Sequence, residues 1–308
     1  EVVISMTVFD GKRLSQAHMQ LDMEGIRRGL YSDKYFDNIK TVLTATAQKG
    51  DTATGDRIVE AQVFTRHKPR TLVGGVDAAL ALLRYATGYF DTGGQYIETW
   101  QALDVEAVED GVFVRYDGDP LNVEPVLKIR GRYRDFDLLE TVYLGLLTRI
   151  SRIATNVYQV MEVSNGKRIL YFPARFDLPS VQAADGYAYW LAVQRYNHDY
   201  GKTSPALVST DAQGLWWGGR GSGTIPHALI AVFQEDTAAT MIAFSEHVAL
   251  DVPRIVLADF NNDVVRDSLA TLAAFWSRYQ QAYLADDREA MRRWTLDGVR
   301  LDTSPNMV

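Results

Sequence analysis

Apolar and polar positions alternate in short runs along the first part of this chain, and longer helical patterns separate those runs. Tyr35–Gln48 (YFDNIKTVLTATAQ) sets Phe36, Ile39, Val42 and Leu43 at helical intervals, the spacing that places side chains on one face. Arg57–Thr65 alternates as a half-buried strand does, and Gly75–Tyr89 reads as a helix. Gln95–Trp100, Val112–Tyr116 and Pro125–Arg130 are short strand candidates set off by glycine or proline. Ahead of them lie a short apolar run and a helix-like Leu14–Leu30 stretch, suited to an interface. Residues 1–135 together predict an α+β domain.

Asp137–Val160 is the strongest helical signal, apolar around most of its circumference, and predicts a buried connecting helix over residues 136–165. Glu140, Arg149 and Arg152 interrupt it. Buried charges are costly unless paired, so these three read either as a structural ion-pair set or as the rear wall of a site. In residues 166–308 the rhythm changes. Ile169–Phe172, Thr224–Ala228, Arg254–Ala258 and Gly298–Thr303 are short apolar runs between helical stretches. The clearest of these stretches is Asn262–Tyr283, with Val265, Leu269, Leu272, Trp276 and Tyr279 on a helical repeat. Strand–helix alternation predicts a parallel sheet, open or closed. A closed eight-stranded barrel takes about 250 residues, so a barrel here would be incomplete.

Composition narrows the function classes. Of 308 residues, 47% are hydrophobic and 23% charged, ordinary for a globular protein, and the formal charge of −7 argues against broad nucleic-acid binding. No run approaches the roughly 18 apolar residues of a membrane span, and the start lacks a basic leader with an apolar core. The absence of cysteine excludes disulfides, thiolate-bound zinc and a thiol nucleophile, and fits a cytoplasmic enzyme. The chain starts at Glu1 and stops at Val308 just after a strand-like run, as a piece of a longer protein would.

Candidate chemistry gathers first at Gly214–Ile230 (GLWWGGRGSGTIPHALI), with five glycines, two tryptophans, Arg220 and His227. Such glycines admit left-handed turns or a close approach to a ligand. Chemistry in parallel α/β folds sits at the carboxyl ends of strands, where Arg175, His227, Asp259, Arg300 and Asp302 fall. Arginine forks hold phosphate or carboxylate oxygens, and a carboxylate stabilises a developing cation or helps to place Mg²⁺. Each has a plainer reading. Asp259 before FNND could be a helix N-cap, Arg175 could pair with Asp177, and His227 could be a core histidine. His18, His67, His198 and His247 read as surface residues. Gly201–Lys202–Thr203 resembles the end of a P-loop, but Tyr196 stands where its first glycine belongs. GxGxxG, HExxH and close metal-binding triplets are missing.

Seven runs in order carry a resemblance. They are SDKYF (Ser32–Phe36), GRYRDFDLLETVYLGLL (Gly131–Leu147), ISRIAT (Ile150–Thr155), FPAR (Phe172–Arg175), SGTIPHALI (Ser222–Ile230), IVLADFNND (Ile255–Asp263) and GVRLDTS (Gly298–Ser304). From about residue 30 onward the chain resembles the nicotinate phosphoribosyltransferase family of type II phosphoribosyltransferases. The resemblance implies an α/β fold, with an N-terminal α/β sandwich domain and an irregular TIM-like (β/α) barrel. It implies formation of nicotinate mononucleotide and pyrophosphate from nicotinate and phosphoribosyl pyrophosphate, a step of NAD biosynthesis, with Mg²⁺ and with ATP hydrolysed through a phosphohistidine. It assigns His227 to that phosphohistidine and Arg175 to the nicotinate carboxylate and a neighbouring phosphate. Arg300 and Asp302 fall near the ribose and pyrophosphate, with Asp259 at a neighbouring strand end and Gly223 and Thr224 on the substrate-binding loop. Tyr35 would stack on the pyridine from the partner subunit of a homodimer with shared active sites. No resident metal site is implied, nor any membrane or nucleic-acid partner. The alternatives are a relative using nicotinamide or quinolinate, or a non-catalytic nucleotide-binding relative. Two departures stand out: Phe176 occupies a position that is often basic in the family, and the later barrel strands with their 5′-phosphate loops would lie beyond Val308.

Overall fold

The protein's structure, a computed structural model, describes residue 14 and residues 19–303. The expectations for residues 1–13, for His18 and for Ser304 lie outside the described residues. The chain divides into two compact units, Glu1–Gly221 and Ser222–Val308. Both mix helix and strand.

The first unit opens with helices α1 (Met23–Arg27), α2 (Lys34–Gln48) and α3 (Thr52–Gly55), followed by strands β1 (Ile58–Phe64) and β2 (Arg70–Leu72). Helix α4 (Val76–Ala86) leads into β3 (Gly88–Phe90), β4 (Tyr96–Glu98), β5 (Asp104–Ala107), β6 (Phe113–Arg115) and β7 (Pro125–Arg132). The alternation read at Arg57–Thr65 becomes β1, which pairs antiparallel with β7 from Ile58↔Arg132 to Val63↔Leu127 before the register shifts. Strand β7 is central, with β5 on its other edge, while β2 pairs with β6 and β3 with β4. The core here joins Leu82, Leu83 and Val76 of α4 to Leu127 and Ile129 of β7. The strand candidates Gln95–Trp100, Val112–Tyr116 and Pro125–Arg130 become β4, β6 and β7, while the short strands β2, β3 and β5 escaped the sequence reading.

Helix α5 (Glu140–Val163) is the long helix expected from the pattern. It is buried on one face only: Tyr143, Leu147, Ile150, Ala154, Tyr158 and Met161 point inward while Val160 and Val163 are exposed. The preceding loop can approach it because Gly74 and Gly75 have no side chains. Gly74 N–H donates to Ser151 Oγ at 3.0 Å, and Gly75 sits at φ +92° with the Leu146 carbonyl 3.0 Å from where a Cβ would stand. Strands β8 (Leu170–Tyr171) and β9 (Leu207–Val208) then pair in parallel, Leu170↔Leu207, with α6 (Gln182–Tyr200) crossing between them. The P-loop-like glycine has a structural role: Gly201, at φ +59°, ends α6 in a left-handed cap.

The glycine-rich segment is a packed knot up to Gly221. After the short helix α7 (Asp211–Gly214), the Gly214 carbonyl accepts N–H groups from Trp217, Gly218 and Gly219. A Cβ on Gly214 would stand 2.0 Å from the Gly219 carbonyl oxygen, and one on Gly219 would stand 2.2 Å from the Trp217 ring. These glycines permit close packing of backbone on backbone rather than an open ligand loop. Gly218, at φ +81°, and Gly223 differ, with nothing within 4 Å of a would-be Cβ. Arg220 is exposed.

The second unit contains α8 (His227–Val232), α9 (Thr237–His247), β10 (Ile255–Leu257), α10 (Val264–Leu284), α11 (Arg288–Arg293) and β11 (Gly298–Arg300). Three aspartates cap its helices: Asp236 accepts from Ala239 N–H, Asp263 from Arg266 N–H and Asp287 from Ala290 N–H. Strands β10 and β11 pair in parallel, Val256↔Val299, with α10 and α11 between them. Ile225, Ile230, Met241, Val256, Leu257 and Phe275 form the core. Thr224–Ala228, expected as a strand, is not one. Pro226 offers no N–H to a ladder and instead precedes the first helical residue, His227. The helix read at Asn262–Tyr283 forms as α10, with Val265, Leu269, Leu272 and Trp276 of its apolar repeat exposed and Asp267, Thr271, Phe275 and Ala282 buried.

Across the described residues, strands form one three-stranded sheet and four pairs, and no closed barrel. No helix there is long and apolar enough to cross a membrane.

One buried acid gives the first unit a pH signature. Asp110 accepts from Val76 N–H at 2.7 Å and from the Tyr187 hydroxyl at 2.9 Å. Burial pushes its carboxyl up to about 7; Asp77 adds to the rise, and the two donors oppose it. The folded state therefore holds this proton more tightly than the unfolded chain. The stability so gained is complete below about pH 4 and is lost as pH rises towards 7. Urea unfolding across that window is expected to show a smaller decline in Asp110→Asn than in the unmodified chain; equal slopes would contradict the assignment.

Candidate functional site

The carboxyl ends of β10 and β11 build a site inside the second unit. Ala258 N–H donates to the Arg300 carbonyl at 3.3 Å, so the parallel pairing runs to the strand ends. It delivers Asp259 beside Asp302 and Thr303. Asp259 Oδ2 accepts from Asp302 N–H at 2.9 Å and from Thr303 Oγ1 at 2.8 Å. Its Oδ1 lies 3.1 Å from His227 Nε2. Burial disfavours the Asp259 charge. The hydrogen bonds from Thr303, His227 and the Asp302 N–H outweigh that and hold its carboxyl below the ordinary carboxylate range. An ionised Asp259 only accepts, so this hydrogen bond places a proton on Nε2 of His227, and the neutral form of that ring would have its lone pair on Nδ1.

His227 is neither a core residue nor free on the surface. Its side chain is 40% exposed against 2% for that of Asp259, and its ring centroid stands 6.2 Å from that of Phe260. Asp259 is not a helix cap, because Asp263 caps α10. Arg300 reaches across the same end. Its Nη2 donates to the Ile225 carbonyl at 3.1 Å and to Asp302 Oδ2 at 3.3 Å. Its Nε is buried and has no hydrogen-bond partner among the described residues. A buried guanidinium N–H left open is a donor waiting for an acceptor.

Four of the residues singled out from sequence thus converge: His227, Asp259, Arg300 and Asp302. The nearby Thr224 is half-buried and Gly223 exposed. Thr303 was missed, although it lies within GVRLDTS, and nothing in a lone threonine signals that it will hold a buried carboxylate. Among the described residues no group of three or more His, Asp or Glu side chains is placed to hold a metal ion.

Two further candidates belong to the first unit. Arg175 is exposed in the 3₁₀ turn Pro173–Phe176 that follows β8. Asp177, which the plainer reading would pair with Arg175, is bonded by Arg149 instead. Tyr35 stands in the first turn of α2, 56% exposed, with its ring 4.3 Å from that of Phe36. Sequence reasoning also passed over Asp211, just beyond the end of β9, whose Oδ1 accepts from Gly221 N–H at 2.8 Å. His67, His198 and His247 are exposed, as expected.

No protein-family model matches this chain, and no curated protein does. Solved structures do. Nicotinate-nucleotide pyrophosphorylase from Pyrococcus furiosus superposes with a TM-score of 0.64 at 23% identity, over 93% of this chain and 60% of that one. Human nicotinic acid phosphoribosyltransferase gives 0.57 at 17% identity, over 89% of this chain and 61% of that one. The chain thus spans about three fifths of the length of both and shares their mixed α/β fold.

Proposed function

We propose that this chain carries the phosphohistidine-bearing part of a phosphoribosyltransferase of NAD biosynthesis that uses nicotinate as its base. The ribose phosphate of phosphoribosyl pyrophosphate would pass to the pyridine nitrogen, releasing pyrophosphate, with ATP hydrolysed alongside. The observation that carries this reading is the His227–Asp259 pair, flanked by Arg300 and Asp302. The fold shared with a nicotinate-nucleotide pyrophosphorylase and a nicotinic acid phosphoribosyltransferase supports the coarser part of this reading, a phosphoribosyltransferase of NAD biosynthesis, and does not choose between the bases.

The residue chemistry fits each step. With Nε2–H donated to Asp259, Nδ1 of His227 is the nucleophile: it bonds to the terminal phosphorus of ATP as the bond to ADP breaks. The open Nε–H of Arg300 suits a phosphate or pyrophosphate oxygen. Asp302 is the carboxylate for the positive charge that develops on the ribose as pyrophosphate leaves. Mg²⁺ is held by hard oxygens and commonly by one or two carboxylates with substrate phosphates. Asp302 fits that role and would hold the ion against the pyrophosphate, whose charge it would neutralise. Both oxygens of Asp259 are already engaged. Gly223 and Thr224 leave room for the phosphate to approach, Arg175 takes the nicotinate carboxylate as a fork, and Tyr35 is offered to a second subunit of a homodimer.

The alternative bases differ in carboxylates: nicotinamide has none and quinolinate has two. Arg175 is followed by Phe176 rather than by a second cation, which favours the base with one. Supplying the full chain with phosphoribosyl pyrophosphate, Mg²⁺, ATP and each pyridine in turn is expected to give nicotinate mononucleotide from nicotinate at least about tenfold faster than from quinolinate, the margin that one well-placed charge pair provides. Preference for quinolinate would overturn the choice of base, and no product from any pyridine would overturn the reading as a whole.

A further inference from the structure

Arg149 was left between two roles by the sequence, and the structure ties it to the turn that carries Arg175. Its Nε donates to Asp185 Oδ1 at 2.7 Å and its Nη2 to Asp185 Oδ2 at 3.0 Å. The same Nη2 also bonds Asp177 Oδ2. Asp185, in the first turn of α6, is 3% exposed, so the fork is anchored on a fixed, buried carboxylate. Asp177 follows the turn directly and accepts Leu178 N–H through its other oxygen at 2.8 Å.

The turn has little else to hold it. Phe172, Phe176 and Leu178 are 48%, 81% and 67% exposed, so no apolar side chain on either side of Arg175 is buried. Its upstream end is fixed: Tyr171 of β8 stacks on Tyr189 of α6 at 4.9 Å, and the Tyr189 hydroxyl donates to the Ile169 carbonyl at 2.7 Å. The downstream end depends on the Arg149–Asp177 arm. We propose that Arg149 is a positioning residue: it clamps the Pro173–Phe176 turn between α5 and α6, and so sets the direction in which Arg175 presents its guanidinium to the substrate carboxylate. This rests on the assignment of Arg175 to that carboxylate. Arginine suits the role because its planar fork bonds two carboxylates at once, which a lysine ammonium does with less directional control. The Arg149 fork also holds the Asp177 carboxyl below the ordinary carboxylate range, as its largest influence.

The test uses Asp177→Asn, which weakens one arm of the clamp and leaves the buried Arg149–Asp185 pair intact, beside Arg149→Met and Arg149→Lys in the full chain. Amide exchange of residues 173–181 reports on the clamp whether or not the protein turns over. Steady-state kinetics with nicotinate reports on Arg175. In Asp177→Asn, exchange in 173–181 is expected to accelerate at least tenfold while that of α5 and α6 holds. The nicotinate KM is expected to rise on the order of tenfold, a small misplacement of a binding group, with the phosphoribosyl pyrophosphate KM within about twofold. Arg149→Lys should fall between Arg149→Met and the unmodified chain. Unchanged exchange would overturn the clamp. Faster exchange with an unchanged nicotinate KM would overturn its link to substrate. A chain that binds no nicotinate but whose 173–181 exchange responds to Asp177→Asn would retain the clamp and sink the assignment of Arg175.

Discussion

Replacing Asp259 with asparagine is expected to slow phosphorylation of the protein by ATP on the order of ten-thousandfold, the scale seen when a histidine's orienting carboxylate is lost and its tautomer reverses. Asp259 holds three donors at once, His227 Nε2, Asp302 N–H and Thr303 Oγ1, and its charge makes Nε2 the protonated nitrogen. An asparagine amide can donate to Nε2, which moves the proton to Nδ1 and removes the lone pair that attacks phosphorus. The variant keeps its size and two of its contacts, so the melting temperature should fall by only a few degrees. Rapid-quench measurement with labelled ATP checks this directly; a rate within about threefold of the unmodified chain would mean that Asp259 does not set the tautomer.

Arg254 carries the largest expected effect on stability. Its side chain is fully buried in the second unit, and among the described residues no carboxylate bonds the guanidinium. Asp297 accepts only the Arg254 main-chain N–H, at 2.7 Å. The guanidinium spends its donors on carbonyls at and beyond the end of α9: Ser245, Val248, Ala249 and Val252. Burial, with Arg292 and Arg293 nearby, makes its charge harder to hold than that of an ordinary arginine. The fork persists because it satisfies the orphan carbonyls of a helix end. In Arg254→Met the Ser245 carbonyl keeps its bond from Arg293 and the Ala249 carbonyl its bond from Val252 N–H. The Val248 and Val252 carbonyls lose the donors described for them. Leaving two such groups and a misfit cavity is expected to cost about 3 kcal/mol, a large share of a typical domain's margin. Urea unfolding of the full chain checks it, and a loss under about 1 kcal/mol would show that these carbonyls find water.

Long elements were legible in the sequence because their periods repeat. β1 shows three alternations and α5 six turns of apolar spacing, so both stand where the pattern put them. β9 has two residues and no period to read. Thr224–Ala228 looked like a strand because it is a short apolar run between helical stretches, but Pro226 cannot join a ladder and precedes a helix that starts at His227. On α10 apolar spacing located the helix, while the burial of Asp267 and Thr271 rests on hydrogen bonds that periodicity does not count. Similar limits apply to the site. His227, Asp259, Arg300 and Asp302 each sit in a recognisable local run, so a linear reading found them. That Thr303 holds Asp259 and that Arg149 reaches Asp177 are facts of tertiary contact, which no local run contains.

The central claim is that His227 accepts phosphate from ATP through Nδ1 because Asp259 occupies Nε2. Incubating the full chain with labelled ATP and Mg²⁺, then mapping the acid-labile, base-stable phosphate by peptide mass spectrometry, tests it most directly. The account predicts one phosphate per chain, on His227, lost in His227→Asn and slowed in Asp259→Asn. A folded chain that binds ATP and carries no phosphate on His227 would contradict it.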